Sequence, residues 1–153
     1  EARSAGFFDV RNAQGDSVAL AEAIADWTTP GQGQLLHVAG NEATGKLATR
    51  LAEHGFTLRR DVLYDVVPVE TLPANAAKAL PGGEIDAVLL FSPLSTQTFV
   101  RCVEEAGLNN SCRNMIAVCI SQAAAQKSEG LPFREIRIAA RPSENEMLEI
   151  LGH

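Results

Sequence analysis

Positive charge is scarce in this chain: 13 Lys and Arg stand against 19 Asp and Glu, giving a net charge of −6 and a pI near 5.0. That balance gives no electrostatic basis for binding nucleic acid or an anionic membrane. Aromatic residues make up only 5% of the chain, with one Tyr and one Trp. No apolar run approaches the roughly 18 residues of a membrane span, and no leader-type segment is visible. Cysteine is limited to Cys102, Cys112 and Cys119, an odd number without a C-x-x-C pair. They read as reduced thiols of a cytoplasmic protein, Cys119 being a small core residue inside "MIAVCI". The three histidines, His37, His54 and His153, have no Cys, Asp or Glu at ligand spacing, so no metal site is expected. No G-x-S-x-G elbow or Ser/His/Asp set can be assembled.

What is present suits one compact α/β unit spanning residues 1–153, with 46% apolar and 21% charged residues. The chain opens "EARSAGF", without Met, and a longer protein is expected around it. Five apolar runs read as strands, over 34–40, 57–68, 85–92, 114–121 and 135–142. Helical periodicity separates them. In "NEATGKLATRLAEHG", Ala43, Leu47, Leu51 and Ala52 form a stripe that Gly55 stops. "STQTFVRCVEEAG" repeats the plan before Gly107, "QAAAQKSEG" ends at Gly130, and "SENEMLEIL" has capping-box spacing. Further helices are expected in "GDSVALAEAIADW" and "LPANAAKALPGG".

Five successive β-α units predict a flavodoxin-like parallel five-stranded sheet of order 2-1-3-4-5, with helices on both faces. Ligands in such sheets bind beyond the carboxyl ends of the strands. That rule selects Gly40-Asn41, Tyr64 to Pro68, Ser92-Pro93, Ser121-Gln122 and Pro142-Ser143.

Gly40 to Lys46 matches G-x-x-x-x-G-K, but Leu47 stands where a P-loop has its Mg²⁺-binding hydroxyl. No later strand ends in the Asp that would share the metal, since "AVLLFSP" ends in Ser and Pro. The segment therefore reads as a strand-to-helix turn, still able to offer N–H groups to an anion. Tyr64 suits either a ring packed at a sheet edge or a phenol facing a ligand crevice. Ser92 and Ser95 in "FSPLS" suit a helix cap, with Pro93 in the first turn, and equally a carboxylate site.

In order, "LLHVAGNEATGKLATRLAEHGFTLRRDVLYDVVPVETLP", "EIDAVLLFSPLSTQTF", "IAVCISQAAA" and "IRIAARPSENEMLEIL" resemble uroporphyrinogen-III synthase. "GFFDVRNAQGDSVALAEAI" resembles that family's lead into its second repeat. The resemblance implies a cofactor-free enzyme that cyclises hydroxymethylbilane, a linear tetrapyrrole, to uroporphyrinogen III. Ring D is inverted and water is lost. It further implies two α/β domains with the substrate between them, each domain combining parts of an N-terminal and a C-terminal repeat. This chain would be the C-terminal repeat, with 34–66 and 85–151 in different domains and little activity alone. Its partner would be the missing N-terminal half, or a second copy by strand exchange.

Carried onto this sequence, Tyr64 matches the tyrosine that assists loss of the hydroxyl, and Ser92 the serine of the cleft-lining "SP" turn. Gly40 and Asn41 would face the cleft. Ser121 falls where the family often has Gly or Ser, but Ala123 and Ala124 replace a frequent pair of threonines, with Ser121 and Gln122 as substitutes. From a different class, a non-catalytic flavodoxin-like binding or signalling module is the alternative. "LHVAGN" and "IAARPS" lack the acidic cluster and lysine of a receiver domain.

Overall fold

The structure, a computed structural model, describes residues 2–41 and 45–152. Glu1, Glu42, Ala43, Thr44 and His153 lie outside the described residues, and with them the middle of the P-loop-like segment and one member of the expected stripe. The elements run α1 (Ser17–Trp27), β1 (Leu35–Gly40), α2 (Lys46–Glu53), β2 (Leu58–Tyr64), α3 (Ala74–Ala79), β3 (Ala87–Leu90), α4 (Pro93–Glu105), a 3₁₀ turn (Asn109–Asn114), β4 (Ile116–Cys119), α5 (Gln122–Ser128), β5 (Glu135–Ile138) and α6 (Glu144–Leu151). Every expected strand and helix is present and most are shorter. β2, for example, ends at Tyr64 rather than running to Pro68, a residue that cannot donate to a ladder.

The five strands do not form one sheet. β1 pairs with β2, and β3-β4-β5 form a separate sheet, all parallel. The neighbour relations 2-1 and 3-4-5 are therefore as expected, while the 1-3 junction is not made. Alternating β and α elements dictate that consecutive strands run parallel, but say little about the one pairing that skips a strand. The β2-to-β3 connection also lacks a crossover helix fit for covering a sheet: α3 is "ANAAKA" and has no buried residue. The chain divides into two compact units, Glu1–Val66 and Val67–His153.

In the first unit Asp16 caps α1 by accepting from the Val18 and Ala19 N–H groups. α2 ends at Gly55, whose φ of +81° lets the Phe56 N–H reach back to the Leu51 carbonyl. Ala21, Leu47, Leu51 and Phe56 form the core, with Leu35 and Leu58 packed from the sheet. The opposite sheet face carries Leu36, Val38 and Leu63, all at least half exposed. Helices on both faces are thus absent from this unit among the described residues: α1 and α2 cover one side only.

The second unit does have both faces covered. Leu90, Ala117 and Cys119 pack with Ala124 and Ala125 of α5, while Ile116 and Val118 pack with Met147 of α6 on the other side. Val103 of α4 joins Leu80, Cys112, Met115 and Leu131 in an adjoining cluster. All four β4 residues are buried, the expected signature of a central parallel strand.

Burial pushes the Cys112 and Cys119 thiols above their ordinary value of 9.0, opposed at Cys119 by a hydrogen bond with Ser128. A raised thiol pKa means that above about pH 9 the folded chain binds more protons than the unfolded one. Stability then falls as pH rises, by up to about 1.4 kcal/mol per pH unit per thiol. Urea unfolding at pH 7.5 and 9.5 measures this. The same two thiols are expected to react with an alkylating reagent only after unfolding, and rapid labelling of the native chain would contradict their placement.

Candidate functional site

The strand-end positions fall into two groups, one in each unit. In the first, Gly40 closes β1 and Tyr64 closes β2. The parallel register slips between Ala39 and Gly40, so that Gly40 sits opposite Tyr64 rather than Leu63. The tyrosine ring lies on the glycine: a Cβ built at Gly40 would be 2.6 Å from Cε2 and 3.1 Å from Cζ of Tyr64. Only a residue without a side chain permits that approach. One edge of the ring packs on the sheet, yet the residue is 59% exposed.

Asn41 binds this corner together. Its N–H donates to the Tyr64 carbonyl at 3.2 Å, and its Oδ1 accepts from the Val66 N–H at 3.0 Å. The backbone N–H of Asn41 is therefore committed to Tyr64 and does not serve an anion. What the residue offers outward is its side-chain Nδ2, which has no partner among the described residues. The P-loop comparison weakens further here. Leu47, in the place of the metal-binding hydroxyl, is buried in the core at 5% exposure.

In the second unit, Ser92, Ser121 and Ser143 follow β3, β4 and β5, and each is the N-cap of the next helix. Ser92 accepts from the Ser95 N–H at 3.0 Å, and Ser95 Oγ accepts from the Ser92 N–H at 3.1 Å. The two hydroxyls also lie 2.9 Å apart. Pro93, at the first helical position, has no N–H to offer. The Leu94 N–H is the donor left open in this turn among the described residues. Ser121 likewise accepts from the Ala124 N–H, leaving the N–H groups of Gln122 and Ala123 outward. Neither α4 nor α5 has an acidic residue in its first turn.

The third helix end differs. Ser143 caps α6 through the Glu146 N–H, but Glu144 and Glu146 stand in that first turn. Carboxylates there already complement the helix dipole and repel a further anion. Glu146 pairs with Arg141, while Glu144 has no salt-bridge partner among the described residues. Pro142-Ser143 is thus the least suited of these ends for an anionic ligand.

A family model described as uroporphyrinogen-III synthase HemD matches residues 1–149. The chain belongs to that family. Among solved structures it is similar to uroporphyrinogen-III synthetase from Helicobacter pylori, at 20% identity and a TM-score of 0.56, over 86% of this chain and 57% of that one. A mutant uroporphyrinogen III synthase from the extremely thermophilic bacterium Thermus thermophilus matches at 20% identity with a TM-score of 0.47, over 90% of this chain and 55% of that one. No curated protein matches the chain. The first of these likenesses shows the fold, and the chain spans a little over half the length of both structures.

Arg60 is the residue in this synthase-family chain that pattern reading passes over. Its Nη2 donates to the Gly40 carbonyl at 2.7 Å and to the Asn41 carbonyl at 2.9 Å. The sequence signal is slight: a second arginine in "LRRDVLY", on a strand otherwise read for its apolar residues.

The Gly40–Tyr64 contact makes a direct prediction. Gly40→Ala is expected to lower stability by about 1–3 kcal/mol and displace the ring. Tyr64 is the single tyrosine of the chain, so the near-ultraviolet circular dichroism of the tyrosine band reports its position. An unchanged band with unchanged stability would mean that the ring does not rest on the glycine.

Proposed function

We propose that this chain is the C-terminal repeat of a uroporphyrinogen-III synthase, an enzyme of tetrapyrrole and haem biosynthesis. It would convert hydroxymethylbilane to uroporphyrinogen III with inversion of ring D and loss of water. The observation that carries this reading is the family match over residues 1–149. The site geometry is consistent with it, because the required chemistry asks for positioning more than for reactive groups.

Loss of the terminal hydroxyl breaks a C–O bond, with the electron pair leaving on oxygen. The pyrrole nitrogen supplies electrons to the carbon left behind, giving an azafulvene cation. In this scheme the Tyr64 phenol donates a hydrogen bond or a proton to the departing oxygen, so that it leaves as water. The residue is 59% exposed, and one edge of its ring is held on Gly40. Ring D then closes through the inverted carbon, a step that depends on holding a flexible octacarboxylate in one shape. Asn41 Nδ2 and the N–H groups of Leu94, Gln122 and Ala123 are the donors proposed to hold its carboxylates. Ser92, Pro93, Ser95 and Ser121 shape the turns that present them. No cofactor enters this scheme.

The same reading assigns 34–66 and 85–151 to different domains of the complete enzyme. Two observations support it: the sheets stop at two and three strands, and Leu36, Val38 and Leu63 lie exposed on the smaller one. The missing N-terminal half would supply the complementary strands, or a second copy would do so by exchange.

The complete protein is expected to form the III isomer from hydroxymethylbilane, with Tyr64→Phe lowering kcat by about 10²-fold. A wild-type protein unable to form that isomer would overturn the reading. The 153-residue chain alone is expected to be inactive as a monomer, and light scattering that finds only monomers removes the exchange option.

A further inference from the structure

We propose that Arg60 is a positioning residue for Tyr64, acting through the Gly40-Asn41 turn; the inference rests on the synthase reading of that tyrosine. A single guanidinium nitrogen, Nη2, satisfies two successive carbonyls, at 2.7 Å and 2.9 Å. Nη2 carries two hydrogens, so each carbonyl takes one. Two consecutive peptide oxygens can converge on one nitrogen only if the chain bends between them. The bend lies where the β1 register has slipped.

From this turn, the Asn41 N–H bonds to the Tyr64 carbonyl and the Asn41 side chain holds the Val66 N–H. Gly40 in turn supports the Cδ2–Cε2–Cζ edge of the tyrosine ring. Arg60 thus bears on the tyrosine four residues further along its own strand by way of the neighbouring strand. It makes no hydrogen bond to the phenol among the described residues and, in the scheme above, none to the substrate.

Its neighbour gives the contrast. Arg59 carries the same charge one residue away but pairs with Asp61 two positions along the strand. It makes no hydrogen bond to the turn among the described residues. The pair Arg59 and Arg60 therefore separates charge from geometry.

Position and charge lead to different kinetics. Without the guanidinium, the carbonyls can turn toward water, because Asn41 and Tyr64 beside buried Gly40 are exposed. The fold then survives while the turn and ring lose their fixed arrangement. A misplaced proton donor slows the chemical step, whereas a lost carboxylate partner weakens substrate binding.

The test compares Arg60→Ala, Arg60→Lys, Arg59→Ala, Tyr64→Phe and the double variant R60A/Y64F in the complete protein. Arg60→Ala is expected to lower kcat by roughly 10-fold to 10²-fold with KM within about threefold of wild type, and melting temperature by about 2–8 °C. Arg60→Lys should recover part of the loss, since an ammonium can still donate to both carbonyls. Arg59→Ala should keep the wild-type kcat. If Arg60 acts through Tyr64, the double variant is no slower than the slower single variant.

A rise in KM at unchanged kcat would overturn the proposal, as it would place the guanidinium on a substrate carboxylate. Fully multiplicative losses in the double variant would also overturn it. The part of the near-ultraviolet dichroism that Tyr64→Phe removes is expected to differ in the R60A background and not in the R59A background. That arm tests the positioning even if the wild-type protein proves to lack synthase activity, which would instead sink the functional reading.

Discussion

A parallel sheet is closed only where both of its faces are covered, and the architecture of this chain follows from how far that condition is met. β4 meets it in full: α5 packs on one side, α6 on the other, and all four strand residues are buried. β1 and β2 meet it by half, with α1 and α2 on one side and Leu36 and Val38 left in water on the other. The sequence of each strand agrees with its situation. β4 is "IAVC", without a polar residue, whereas β2 is "LRRDVLY" and carries three charges in seven positions.

The same constraint explains what could be read from the residues and what could not. Element existence was legible because it depends on local period and on stops such as Gly55, whose left-handed conformation closes α2 as its place in the sequence suggests. Sheet order was legible only for adjacent strands. The 1-3 junction depends on which free edges find each other, and no residue in "QLLHVAG" or "IDAVLLFS" encodes that choice. A connecting helix with a buried stripe would have been the local clue, and "ANAAKA" has none.

The candidate site was legible as a set of positions rather than as a set of contacts. The strand-end rule put Gly40, Asn41, Tyr64 and the three serines at or just after strand ends, where they lie, because chain direction alone decides where strands end. It could not show that the Asn41 N–H is spent on Tyr64, that Ser92 and Ser95 satisfy each other, or that the α6 end is already anionic in effect. The last of these was nevertheless available in "SENE", where two glutamates stand in the first turn. Arg60 was hidden for a different reason. Its partners are carbonyl oxygens some twenty residues earlier, and backbone acceptors leave no mark in a side-chain pattern.

This distribution of information suits the chemistry proposed for the family. An ionisable hydroxymethylpyrrole needs little activation, so no cluster of strongly perturbed acids and bases has to be built. The demand falls on geometry: one donor near the departing oxygen and scattered N–H groups for the carboxylates. In the proposed reading such a site would be made of glycine, asparagine, serine caps and backbone, all of which have ordinary structural uses elsewhere. Its specificity then rests on how these groups are held. A guanidinium that fixes a turn does more for such a site than its charge suggests, because the rest of the corner takes its shape from that turn.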